Sequence, residues 1–165
     1  MGAVGRAGES SSGEGGGGIE RVDLGEVPYE EAVERMTGYL VLNLRERGPA
    51  DIVRQVEHAL IDACATLGFE TLRRDTPPGA QSLVGVWTPD GAKLASIGMR
   101  IRGGVTSHGF ALNIAPDLTE FTRFTACGLP GVPMTSLAEL AAHQGGSVPP
   151  EAEVRDAVAK ALGAA

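Results

Sequence analysis

With 165 residues and a formal charge of −7, the chain is long enough for one domain with a substantial core and too acidic for nonspecific nucleic-acid binding. Two cysteines in unlike surroundings make no disulfide framework, and no apolar run approaches the roughly 20 residues that span a bilayer. The start of the chain has no apolar h-region, so a secretory signal is not expected and a cytoplasmic protein is the default. Residues 1–18 are dominated by Gly and Ser and read as a disordered tail. Residues 19–165 read as a single domain.

Pro28 to Met36 is expected as a short helix with proline in its first turn, and Tyr39 to Leu44 as a strand. Pro49 to Leu67 is the clearest helix. Ile52, Val53, Val56, Ala59, Leu60, Ala63, Cys64 and Leu67 form one stripe at helical spacing, and Gly68 follows as the C-terminal cap. Phe69 to Leu72 reads as a short strand before a Pro77-Pro78-Gly79 loop. Val84 to Thr88 and Lys93 to Arg102 flank Pro89-Asp90-Gly91, which is a hairpin signal. His108 to Ile114 is a further strand, and Leu118 to Phe124 a short helix or turn. Thr135-Ser136 can cap a helix running through His143, and Pro149 to Leu162 forms the last one. Strands and helices interleave without a regular βαβ beat, which favours an α+β fold with a mixed sheet flanked by helices.

Lysine occurs only at Lys93 and Lys160. Strand alternation puts Lys93 beside Ala95, Ile97, Met99 and Ile101, on the face that should turn inward. An amine there is costly without a partner or a task. As a residue beside a turn, Lys93 can equally snorkel into water. Cys127 lies between small residues in Thr125-Ala126-Cys127-Gly128-Leu129-Pro130, where nucleophile and bystander are both open readings. A cationic neighbour lowers a thiol's pKa and supplies the thiolate. Cys64 is the contrast: it belongs to the apolar stripe of a helix, where a free cysteine acts as a small hydrophobe. His108 is compatible with a general base or a structural hydrogen bond, while His58 and His143 read as surface residues. No cluster of Cys, His and carboxylates has metal spacing. Gly103-Gly104 lacks the context of a phosphate loop, so neither metal nor nucleotide is expected as a cofactor.

Gly85-Val86-Trp87, Lys93-Leu94-Ala95-Ser96-Ile97-Gly98, Ser107-His108-Gly109-Phe110-Ala111-Leu112-Asn113, Ala126-Cys127-Gly128-Leu129 and Met134-Thr135-Ser136-Leu137 follow one another with tight spacing. As a set they resemble the octanoyltransferases of lipoate synthesis, also called lipoyl(octanoyl) transferases or lipoate-protein ligase B. Val22-Asp23-Leu24-Gly25 and Pro28-Tyr29-Glu30-Glu31-Ala32 resemble that family's opening strand and first helix. The resemblance is dense from about Gly38 to Leu140. One block departs from it: Met36 runs directly into Thr37-Gly38-Tyr39, where the family carries several dozen further residues, including an Arg-Gly-Gly/His-Gly loop that lines the acyl pocket. The domain is therefore expected to be internally shortened near 36–38.

The resemblance implies the biotin and lipoate protein ligase fold with part of its sheet missing. It implies two acyl transfers, first from octanoyl-acyl carrier protein to Cys127 and then to a lysine of an apo lipoyl domain. The receiving domains belong to 2-oxoacid dehydrogenases and the glycine cleavage H protein. It assigns Lys93 to lowering the pKa of Cys127 and assisting proton transfer. It places Ser96, Ile97 and Gly98, with Gly109, Phe110 and Ala111, against the acyl substrate, where backbone N–H groups can meet the oxyanion. No cofactor is implied, because the thioester arrives activated. A relative that only binds acyl carrier protein or lipoyl domains is the alternative.

Overall fold

The computed structural model describes residues 48–102, 105–123 and 128–163. The expected tail over 1–18, the elements at Pro28–Met36 and Tyr39–Leu44, and the junction near 36–38 lie outside these residues, as does Cys127.

Helix α1 spans Pro49–Thr66. Pro49 opens it, and the Asp51 carboxylate accepts the Gly48 N–H at 3.1 Å, satisfying a donor that the first turn leaves free. The chain leaves through Gly68, whose φ of +87° lets the Phe69 N–H return to the Cys64 carbonyl at 2.9 Å. Between these ends Ile52, Val56, Ala59, Leu60, Ala63 and Cys64 are buried, as the periodicity predicts.

Three strands follow: β1 Gly85–Trp87, β2 Lys93–Arg102 and β3 Val105–Leu112. They form an antiparallel sheet in the order β1-β2-β3. The β1–β2 turn is closed by Thr88 and Ala92, each donating its N–H to the other residue's oxygen at 2.9 Å, and Gly91 takes a φ of +95°. The expected strand Phe69–Leu72 reduces to one antiparallel bridge, Leu72 with Trp87. β3 begins at Val105 instead of His108 and stops at Leu112, because the β2–β3 register pairs Arg102 directly with Val105.

A 3₁₀ turn at Leu118–Thr122 is capped by Asp117, whose Oδ1 accepts the Thr119 N–H at 2.9 Å. Helix α2 spans Leu137–His143, with Ser136 Oγ accepting the Glu139 N–H at 3.2 Å. Helix α3 spans Glu151–Ala161 and buries Val154 and Val158. The arrangement is the α+β one expected. Its parallel component among the described residues is the isolated bridge between Lys93 and Met134.

One core joins these layers. Val56, Leu60, Ala63 and Cys64 of α1 pack with Val86, Leu94 and Ala95 of the sheet, Leu137 and Ala141 of α2, and Val154 and Val158 of α3. Among the described residues no helix is long and apolar enough to cross a membrane.

Cys64 behaves as the structural cysteine its position predicts. Burial pushes its thiol from an ordinary 9.0 to about 11, opposed in part by the Thr71 hydroxyl. The folded protein therefore holds this proton more tightly than the unfolded chain does. The resulting stabilisation is complete below about pH 9 and is lost as pH rises towards about 11, at up to about 1.4 kcal/mol per pH unit. Urea unfolding across that range should show the slope in the native protein and a shallower one in Cys64→Ala.

Candidate active site at Lys93

Lys93 opens β2 and is 1% exposed, which excludes the snorkelling alternative. Its neighbours follow from a register irregularity. Gly85 pairs with Ser96 and Val86 with Ala95, but Trp87 pairs with Lys93, so Leu94 is an extra residue opposite the Val86–Trp87 step. Such a bulge re-aims the side chains beside it. Lys93 thus meets Trp87 and Gly85, neighbours that simple alternation along β2 does not supply.

The ammonium is held in three ways. Nζ donates to the Val84 carbonyl at 3.0 Å, which uses one of its three protons. It also lies 5.0 Å from the centroid of the Trp87 ring, within cation–π range. The indole is fully buried, and its own N–H donates to the Leu83 carbonyl at 2.8 Å. Finally, the aliphatic stem of Lys93 fills the place where Gly85 lacks a side chain: a Cβ there would meet Lys93 Cε at 2.8 Å and the Ala95 carbonyl oxygen at 2.4 Å. Gly85 has a φ of +142°, so both its conformation and its neighbours require glycine.

The segment that follows the Cys127 motif is tied to the same lysine through its backbone. The Lys93 N–H donates to the Pro133 carbonyl at 2.8 Å, and the Thr135 N–H donates to the Lys93 carbonyl at 3.0 Å. Asn113 adds a bond from Nδ2 to the Thr135 carbonyl at 3.0 Å. Gly128, the neighbour of Cys127 in sequence, packs against Gln81: a Cβ at Gly128 would lie 3.6 Å from the Gln81 amide.

The two triplets assigned to substrate lie directly opposite each other. Ser96 pairs with Ala111, Ile97 with Phe110, and Gly98 with Gly109. Ile97 packs against the core, while Phe110 is 37% exposed. A Cβ built at Gly98 or Gly109 would meet nothing within 4 Å, so this pair leaves open space over the sheet. The register pairs residues that are eleven or more positions apart in sequence. His108 pairs with Met99 in the backbone ladder.

Sequence reading missed Glu57, which is 2% exposed. Its signal was present: Val53, Glu57, Leu60 and Cys64 follow helical spacing, placing a carboxylate within an apolar row. Gly85 and Trp87 were visible in a motif, but their service to Lys93 depends on the bulge.

The family model of the lipoyl protein ligase A/B catalytic domain matches residues 32–163. The chain belongs to that family. Among curated relatives of this lipoyl protein ligase A/B member, an octanoyltransferase of Frankia casuarinae is 42% identical over 148 residues, covering 88% of this chain and 67% of the relative. One of Sphingopyxis alaskensis is 43% identical over 133 residues, covering 76% of this chain and 55% of the relative. One of Pseudomonas entomophila is 38% identical over 119 residues, covering 71% and 52%. The matches thus span from about half to two thirds of the relatives' own length.

Proposed function

We propose that this chain is an octanoyltransferase of protein lipoylation, with Cys127 as nucleophile and Lys93 as its charged partner. The observation that carries the reading is the buried ammonium, held by Val84 and Trp87 in a protein with only two lysines. A fold keeps such a group buried at a cost, and acyl transfer gives it a task.

In the first half-reaction the Cys127 thiolate attacks the octanoyl thioester carbonyl of acyl carrier protein. The tetrahedral intermediate expels the phosphopantetheine thiolate, which takes up a proton as the octanoyl-cysteine forms. In the second, the amine of a lysine on an apo lipoyl domain attacks that new thioester. The amide forms, the amine loses a proton, and Cys127 leaves as a thiolate. Both steps need a positive charge beside sulfur and a proton carrier. Lys93 has two Nζ protons beyond the one given to Val84. In the paired triplets Ser96-Ile97-Gly98 and Gly109-Phe110-Ala111, the Gly98–Gly109 pair offers open space and the Ile97–Phe110 pair apolar surface for the acyl group. The reading places the protein in the cytoplasm, with lipoyl domains of 2-oxoacid dehydrogenases and the glycine cleavage H protein as acceptors. It takes residues 19–165 as one domain, shortened near 36–38. No observation favours the binding-only alternative, since a lysine 1% exposed is not displayed for docking.

Intact mass after mixing the protein with octanoyl-acyl carrier protein tests this. One octanoyl group should appear on the native chain and not on Cys127→Ser. An apo lipoyl domain added next should remove it and gain the same mass. A folded protein that takes up no octanoyl group defeats the proposal.

A further inference from the structure

Glu57 is a buried charge for which the acyl-transfer chemistry so far has no use. It is 2% exposed, in the middle of α1, where a carboxylate is costly unless paired. Its Oε2 is 3.4 Å from Arg73 Nε, but Arg73 makes its shorter ion pair with Asp75, at 2.7 Å. Asp75 is also the largest influence raising the Arg73 pKa. The contact made inside the protein is different. Glu57 Oε1 accepts the Gly85 N–H at 3.0 Å.

That N–H belongs to the peptide unit whose carbonyl, on Val84, accepts from Lys93 Nζ at 3.0 Å. In a trans peptide the carbonyl and the N–H point in opposite directions. One peptide unit therefore has a cation at the negative end of its dipole and an anion at the positive end, and each hydrogen bond strengthens the other. We propose that Glu57 is the positioning residue of the Lys93 site: acting through the Val84–Gly85 peptide, it fixes the carbonyl that holds the Lys93 ammonium. The inference rests on the acyl-transfer reading for what Lys93 is used for.

The other charged groups around the site are few among the described residues. Arg74 lies 5.0 Å from the same Trp87 ring, and Arg73 and Asp75 lie beyond Glu57. On α2, Glu139 accepts from the Thr135 hydroxyl at 2.8 Å. The Pro133–Thr135 segment against the Lys93 backbone brings no ionisable side chain.

The two lysines make the test direct. With ¹³Cε-labelled lysine the protein gives two resonances, and Lys160 of α3 serves as the internal reference. Glu57→Gln keeps an oxygen for the Gly85 N–H and loses the charge. Its Lys93 ¹³Cε resonance should move from the native position while that of Lys160 stays in place; an unmoved Lys93 in the folded variant overturns the proposal. If Glu57→Gln does not fold, the reciprocal measurement decides. In Lys93→Met, with ¹³Cδ-labelled glutamate, the Glu57 resonance should move likewise, and no movement overturns the proposal equally. Neither measurement needs a substrate. Coupling in a protein that takes up no octanoyl group defeats the acyl-transfer reading and leaves the positioning intact, whereas octanoyl transfer without coupling defeats only the positioning.

Discussion

Lys93→Met should form the Cys127 acyl adduct about 10²–10⁴-fold more slowly than the native chain, the range usual for loss of a positioned proton carrier. Methionine keeps an unbranched stem against Gly85 and Trp87, so the side chain that fills the bulge is retained in outline. The variant leaves the Val84 carbonyl without its donor, which costs about 1–3 kcal/mol, while Glu57 keeps its Gly85 N–H and its contact with Arg73. The protein should therefore stay folded while losing its chemistry. Lys93→Arg should not rescue the rate. A guanidinium is bulkier, gives up no proton in proteins, and has no room beside Gly85, where the ammonium lies 3.4 Å from the Cβ position. Rapid-quench intact mass with octanoyl-acyl carrier protein measures both variants. Adduct formation by Lys93→Met at the native rate would remove Lys93 from the mechanism, whatever became of Cys127.

The second large effect falls on stability. Gly85→Ala should cost about 3–5 kcal/mol, combining strain at a positive φ with overpacking. The new Cβ would lie 2.4 Å from the Ala95 carbonyl oxygen and 2.8 Å from Lys93 Cε. The lysine stem can move, but the backbone of the neighbouring strand cannot without breaking the β1–β2 ladder. Glu57 would also lose its aligned N–H donor. Gly98→Ala and Gly109→Ala provide the control, because nothing lies within 4 Å of either new methyl. Those two should stay within about 0.5 kcal/mol of the native protein. Urea unfolding distinguishes them, and equal stability of all three variants would contradict the bulge geometry around Lys93.

How much of this was legible beforehand depended on how local each signal is. The helix Pro49–Thr66 was readable from its stripe, its opening proline and its closing glycine, since each acts within a turn or two of chain. The hairpin at Pro89-Asp90-Gly91 and the Ser136 cap of α2 were readable for the same reason. The start of β3 was misjudged by three residues because a strand end depends on where its partner ends, and Arg102 with Val105 set that limit. The short strand at Phe69 shrank to a bridge because only Leu72 finds a partner, Trp87.

The sequence by itself determined the helices found among the described residues, the main hairpin, the family and the resemblance of Lys93 and Cys127 to a catalytic pair. These rest on periodicity, turn chemistry and an ordered set of motifs, all of which survive without coordinates. Only the tertiary structure decided that Lys93 is buried at a bulge, that its ammonium is shared between Val84 and Trp87, and that Ser96-Ile97-Gly98 and Gly109-Phe110-Ala111 face each other residue for residue. It alone joined Glu57 to Lys93 through one peptide, across 36 positions of sequence. The physical reason is that register and hydrogen bonding between distant segments are settled by packing, and a one-residue irregularity in a ladder changes which side chains meet.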